Sequence, residues 1–172
     1  MKKKFSNIIV TGGAGFIGNH LVKKLSLISK KIFVIDNYST GFNFNFPRNT
    51  KVIRKNCNEK NVFKQLNKYE FDSIIHLAGV SSVEASFENP VNDAESNILS
   101  TLNLLKFVKK KKIKNFIFSS SMCVYGNLSN NVKENQRLNP ISFYGRSKLA
   151  AEEYIKLYPT KGTTKVILRL FN

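Results

Sequence analysis

The sequence predicts an α/β protein: a parallel sheet, doubly wound by helices into three αβα layers. Short runs of Ile, Val and Phe alternate with amphipathic stretches along the whole chain, which is the pattern of repeated βα units. A glycine-rich turn follows the first apolar run, and small or polar residues stand directly after each later one. Open sheets of this class bind ligands at those strand ends.

Strands are expected at Asn7–Thr11, Lys31–Ile35, Lys51–Arg54, Ser73–Leu77, Asn115–Ser119 and Lys165–Arg169. Each is rich in Ile, Val or Phe, as a strand covered on both faces should be. Helices are expected at Phe16–Ser29, Glu59–Asn67, Pro90–Lys111 and Ser142–Tyr158. Pro90 suits a helix first turn, where a backbone donor is unpaired in any case. Within that third helix Ile98, Leu102, Leu105 and Val108 recur at helical spacing and mark a buried stripe. The run Lys109–Lys112 closes it, where cations oppose the helix dipole. Ser39–Thr50 holds Gly41, Pro47 and phenylalanines without a period and is expected to be loop.

A chain of 172 residues, 42% hydrophobic, is long enough for one domain with a buried core, so residues 1–172 are expected to form a single domain. The net charge of +17 raises nucleic acid as a partner. Lysines dominate the basic set, however, and rise together with Asn, Ile and Phe, as AT-rich codons produce. Lys2–Lys4 and Lys109–Lys112 look like solvated ends. A nucleic-acid surface is therefore not expected, although the positive field would attract a pyrophosphate. Cys57 and Cys123 match no metal spacing, so no metal is expected and a reducing compartment is. The apolar stretch after the basic start is too short for a signal peptide, and no run reaches membrane-spanning length. A cytoplasmic enzyme with no membrane partner is the expectation.

Gly12, Gly15 and Gly18 punctuate the turn between the first strand and first helix. A dinucleotide pyrophosphate would meet backbone N–H groups and the positive helix end there. Side chains at Gly12 or Gly15 would obstruct the turn or the phosphate, while Gly18 permits close packing of helix on strand. Asp36 follows the second strand at the spacing of a carboxylate that accepts hydrogen bonds from the adenosine ribose. It would repel a 2′-phosphate, which favours NAD over NADP. Together these features define a Rossmann-type dinucleotide fold. Tyr144 and Lys148 stand four apart, on one helix face. A nearby ammonium favours phenolate and would make Tyr144 a general base.

TGGAGFIG from Thr11, DNYSTG from Asp36, HLAG from His76, the serines from Ser119 followed by VYG, and YGRSK from Tyr144 occur in one order. In this the chain resembles the extended short-chain dehydrogenase/reductase family, the NAD-dependent epimerases and dehydratases, and in particular the UDP-glucose 4-epimerase-like sugar epimerases. The resemblance implies that Ser121 hydrogen-bonds the sugar hydroxyl being oxidised, Tyr144 removes its proton, and Lys148 holds the nicotinamide ribose. Hydride would pass to the nicotinamide and return to the other face of a ketose intermediate. It further implies that Phe16, Ile17, Asn37, Asn56 and Cys57 contact NAD beside the glycines and Asp36. Leu77, Ala78, Gly79, Asn97 and Ser119 would line the cofactor, with Ser81 and Asn172 meeting the nucleotide sugar. A homodimer through the helices at Pro90–Lys111 and Ser142–Tyr158 is implied as well.

Met122 and Cys123 stand where related dehydratases carry acidic residues, which disfavours dehydration. Ser81, Ser82 and Val83 look more like epimerases of N-acetylated sugars, and Asn56 replaces the family's usual Asp near adenine. Members of the family continue beyond the segment matching Arg169–Asn172, so the C-terminal substrate domain is expected to be absent and turnover weak. The alternatives are a non-catalytic NAD- or RNA-binding module of the same fold, or another nucleotide-sugar dehydratase, reductase or decarboxylase of the family.

Overall fold

A computed structural model describes residues 5–42, 45–59, 61–127 and 132–171. Asn172 and the Lys2–Lys4 run lie outside the described residues. Six strands, β1 (Phe5–Thr11), β2 (Ser29–Asp36), β3 (Thr50–Arg54), β4 (Ser73–His76), β5 (Asn115–Ser121) and β6 (Thr164–Leu170), form one sheet in the order β3-β2-β1-β4-β5-β6. Every pairing is parallel. The order reverses between β1 and β4, which opens a crevice at their carboxyl ends.

Alternation along β1 sorts the core. Ile8 and Val10 face α1 (Phe16–Ile28) in a cluster with Val22, Ile32, Val34 and Ile75. Ile9 points the other way, into the larger cluster beneath α4 (Ser100–Lys111) and α5 (Phe143–Leu157), with Phe33, Leu104, Leu105, Phe116, Phe118 and Ile155. Phe33, Phe116 and Phe118 are wholly buried, each worth about 2–3 kcal/mol of transfer free energy. No helix among the described residues is long and apolar enough to cross a membrane.

Several expectations are corrected. The helix expected at Glu59–Asn67 is a series of turns with a single 3-10 turn at Lys64–Leu66. Glu59 accepts from the Asn56 amide as at a helix start, but Asn61 adopts a left-handed φ of 66°, so no helix propagates. The third helix is interrupted: α3 (Pro90–Ala94) passes through a π turn, Glu95–Leu99, before α4 begins. A short helix, α2 (Val83–Glu88), precedes it, capped by Ser82. The stripe is rotated from the expected one: Leu105 and Val108 are buried, but Ile98 and Leu102 are only half-buried, and Asp93, Asn97, Ser100 and Thr101 take the inner face. The π turn causes this by adding a residue to one turn.

Helix α1 ends at Ile28 because Ser29 already begins β2, and Ser142 and Tyr158 flank α5 as its caps. Strand β4 stops at His76, whereas β5 runs on through Ser120 and Ser121, which pair with Arg169 and Leu170. Strand β6 is not covered on both faces. Its inward residues Ile167 and Arg169 meet the α5 side, but Val166, Leu168 and Leu170 are 38–46% exposed. Helix α1 covers only the opposite half of that face.

Candidate active site at the strand ends

The glycine turn exists because three backbones converge. Gly12 has a φ of 68°, and a Cβ on it would stand 2.7 Å from the Ala78 nitrogen at the end of β4. A Cβ on Gly18 would lie 2.1 Å from the Gly12 carbonyl oxygen, so α1 packs against the turn itself and not only against the strand. Gly15 differs: a Cβ there meets only the Gly12 oxygen, at 3.4 Å, and faces open space otherwise. Gly15 caps α1 without a side-chain acceptor, and no acidic residue occupies the first turn. The first-turn amides and the positive helix end are thus offered outward, with Phe16 (78% exposed) and Ile17 (51%) beside them. This cradle fits an anionic diphosphate.

Asp36, the last residue of β2, is buried. Its Oδ2 accepts from the Ala14 amide at 2.8 Å and its Oδ1 from the Tyr38 amide at 2.8 Å. The carboxylate therefore pins the glycine turn, a role that spacing alone does not reveal, and each oxygen keeps a lone pair for a ribose hydroxyl. Asn37 is exposed and accepts from Ser39. Asn56 is half-buried beside this end. Cys57 is 2% exposed and belongs to the core, so its side chain underlies the groove instead of facing it. Burial first, then the Asp36 charge, pushes its thiol up to about 12.

Beyond β4 the Leu77 amide bonds the Thr11 carbonyl, and the Ala78 amide donates to Thr11 Oγ1 at 3.2 Å. Gly79 has a φ of 151°, and a Cβ on it would fall 2.3 Å from Asn97 Oδ1. Asn97 is 1% exposed and sits in the π turn. Its Nδ2 donates to the Val80 carbonyl and to Asp93, yet its Oδ1 has no partner among the described residues. A buried acceptor left unpaired is costly, about 1–3 kcal/mol. Ser81 is exposed at the rim.

Helix α5 brings Tyr144 and Lys148 to the end of β5 on one face, 7% and 4% exposed. Lys148 Nζ donates to the Ser119 carbonyl at 2.9 Å, lies 4.8 Å over the Phe118 ring, and stands 5.9 Å from the Tyr144 ring centre. Burial lowers the Lys148 ammonium to about 8, against the opposing charges of Asp93 and Glu152. The Tyr144 phenol is raised above its ordinary value, chiefly by burial, with the Ser121 side chain easing it back as a hydrogen-bond partner. This differs from the expectation that the ammonium lowers it: desolvation prevails. Ser121 Oγ also accepts from the Cys123 amide at 3.2 Å.

Two further groups were not legible as site residues. Glu152, fully buried one turn beyond Lys148, accepts from Ser120 Oγ at 2.5 Å and from Arg169 at 2.7 Å. His76 is buried between two threonines. The signal for both is a polar residue at a position where periodicity demands an apolar one. Glycines 12, 15 and 18, Asp36, Ala78, Gly79, Asn97, Ser119, Ser121, Tyr144 and Lys148 are brought to one crevice. No cluster of metal-ligating side chains occurs among the described residues.

Residues 8–172 match the model of the NAD dependent epimerase/dehydratase family. A putative UDP-glucose 4-epimerase of Methanocaldococcus jannaschii is 39% identical over 168 residues, covering 96% of this chain and 55% of the relative. A UDP-N-acetylglucosamine 4-epimerase of Methanobrevibacter ruminantium, solved with UDP-N-acetylmuramic acid, superposes with a TM-score of 0.86 at 36% identity, over 100% of this chain and 56% of the other. A Thermus thermophilus UDP-glucose 4-epimerase in complex with NAD gives 0.84 at 32% identity, over 95% and 54%. The chain spans about half the length of the curated relatives it matches.

Proposed function

The chain belongs to the NAD-dependent epimerase/dehydratase family, and on that premise we propose that residues 1–172 are the NAD-binding domain of a UDP-sugar 4-epimerase. The observation that carries the reading is the shared crevice: an uncapped helix start behind a glycine turn at one end, Ser121, Tyr144 and Lys148 at the other. Gly12 and Gly15 would let the pyrophosphate approach the turn, Gly18 would seat α1 behind it, and Asp36 would hold the adenosine ribose. The unpaired Oδ1 of Asn97 supports the reading of a donor on the nicotinamide side. When bound, NAD supplies a hydride acceptor at sugar C4 and a positive charge that favours phenolate at Tyr144.

The residues then divide the work. Ser121 holds the C4 hydroxyl and Tyr144 takes its proton, returning it when the ketose is reduced from the other face. Lys148, anchored on the Ser119 carbonyl, keeps the phenol and the ribose in one place. The UDP-sugar substrate fits relatives that are UDP-glucose and UDP-N-acetylglucosamine 4-epimerases. Ser81 lies at the rim where the sugar would enter. Exposed Val91, Leu99 and Phe143 line an apolar groove on the helical side, and we propose it as the contact between two copies, checked by sedimentation equilibrium of the chain and of F143E.

Calorimetric titration of the folded chain with NAD, followed by UDP-glucose or UDP-N-acetylglucosamine, tests the reading. Binding of NAD and a slow rise in reduced-nicotinamide absorbance on adding the UDP-sugar are expected, the latter lost in Y144F. A folded chain with no affinity for NAD overturns it. Salt-sensitive retention of RNA in place of NAD favours the alternative of a nucleic-acid module.

A further inference from the structure

We propose that His76 is a positioning residue: fixed as the Nε2–H tautomer between Thr11 and Thr101, it ties the strand end beneath the glycine turn to the π turn that carries Asn97. The hydrogen bonds allow one direction of donation. Thr101 Oγ1 lies 2.6 Å from the Asn97 carbonyl oxygen, which can only accept, so the single hydroxyl hydrogen is committed there. Thr101 Oγ1 must then accept from His76 Nε2, 3.1 Å away, and that nitrogen carries the proton. The ring is neutral, because burial and the nearby Lys148 charge press its pKa down to about 3. His76 Nδ1 therefore has a free lone pair and accepts from the Thr11 hydroxyl at 2.7 Å. Thr11 Oγ1 in turn accepts from the Ala78 amide.

The relay runs from the Ala78 amide through Thr11, His76 and Thr101 to the Asn97 carbonyl. Thr11, His76, Asn97 and Thr101 are each 0–1% exposed, so water cannot substitute for any link. In such surroundings consecutive hydrogen bonds strengthen one another. Its ends are the two walls of the groove: Ala78 adjoins Gly12 of the turn, and Asn97 holds its unpaired Oδ1 against Gly79. A Thr hydroxyl bonded to the carbonyl four residues back competes with the helix's own hydrogen bonds, and this one stands beside the π turn. The relay thus keeps the walls at one spacing before a ligand arrives. The consequence for cofactor affinity rests on the NAD-binding reading above.

Long-range proton–nitrogen NMR of the folded chain tests the tautomer directly, since His20 and His76 are the only histidines and H20Q assigns them. The Nε2–H pattern is expected for His76 at neutral pH, and an Nδ1–H or doubly protonated pattern overturns the proposal. Thr101→Val removes the hydroxyl at nearly constant volume, and Thr101→Ser restores it. In T101V the Ala78 amide resonance is expected to shift, and NAD to bind about fivefold more weakly, because the turn must be ordered on binding; T101S is expected to match the parent in both. A folded T101V with parental NAD affinity overturns the coupling. If the parent shows the Nε2–H pattern and binds no NAD, the cofactor reading falls instead, and an unmoved Ala78 amide in T101V then overturns the relay. Thr101→Cys replaces T101V should the latter fail to fold.

Discussion

Acid should unfold this protein through His76. Burial and the Lys148 charge hold the folded pKa near 3 against 6.5 for a free histidine. The stability tied to the neutral ring is fully present above pH 6.5 and is lost as pH falls toward 3. The gap between those values is worth about 5 kcal/mol at its limit, of which about 2 kcal/mol is gone by pH 5. Set against a typical total of about 5–15 kcal/mol, the full loss can unfold the domain. Urea unfolding of the parent and of H76N, from pH 7.5 down to 4.5, isolates this contribution because every other titrating group cancels in the difference. H76N is expected to be less stable at pH 7.5 but to lose about 2 kcal/mol less than the parent by pH 5. Parallel pH profiles for the two proteins would refute the reasoning, showing that the ring does not enter the fold neutral and buried.

Lys148 has a profile of the same sign at higher pH: its pKa is lowered to about 8 by burial, so stability tied to its neutral form is complete above pH 10.5 and is lost as pH falls through 8. K148M should be more stable than the parent at pH 7, by up to about 3 kcal/mol in urea unfolding, and should lack the parent's gain between pH 8 and 10.5. Gly15→Ala places a methyl group against the Gly12 oxygen alone; its melting point should barely move while NAD affinity in calorimetry falls tenfold or more. Gly18→Ala drives a methyl into the Gly12 carbonyl and should cost about 3 kcal/mol or more in stability as well as NAD binding. Glu152→Gln breaks a pair whose carboxylate is fully buried and should cost about 3–5 kcal/mol, read from denaturant midpoints.

The sheet was legible because parallel strands such as Ile8–Val10 and Ile32–Ile35 are buried on both faces and read as apolar runs. Strand β6 reads the same way and is half bare, since a run of apolar residues reports composition and not what lies against it. The Glu59–Asn67 helix failed on Asn61, whose left-handed backbone leaves no trace in periodicity. The π turn escaped for a related reason: one extra residue rotates the buried face, and only the run of buried polar groups at Asp93, Asn97 and Thr101 records it.

What the order of residues settles here is local: where glycine must stand, where a strand ends in Asp36, and that Tyr144 and Lys148 share a helix face. These follow from backbone sterics and fixed helical spacing, which need no knowledge of distant residues. The protonation states, the pinning of the turn by Asp36, the exposed face of β6 and the relay through His76 were decided by packing. The pinning joins residues 22 positions apart and the relay residues up to 67 apart, and the protonation states follow how completely water is removed, none of which is written in any short window of the chain.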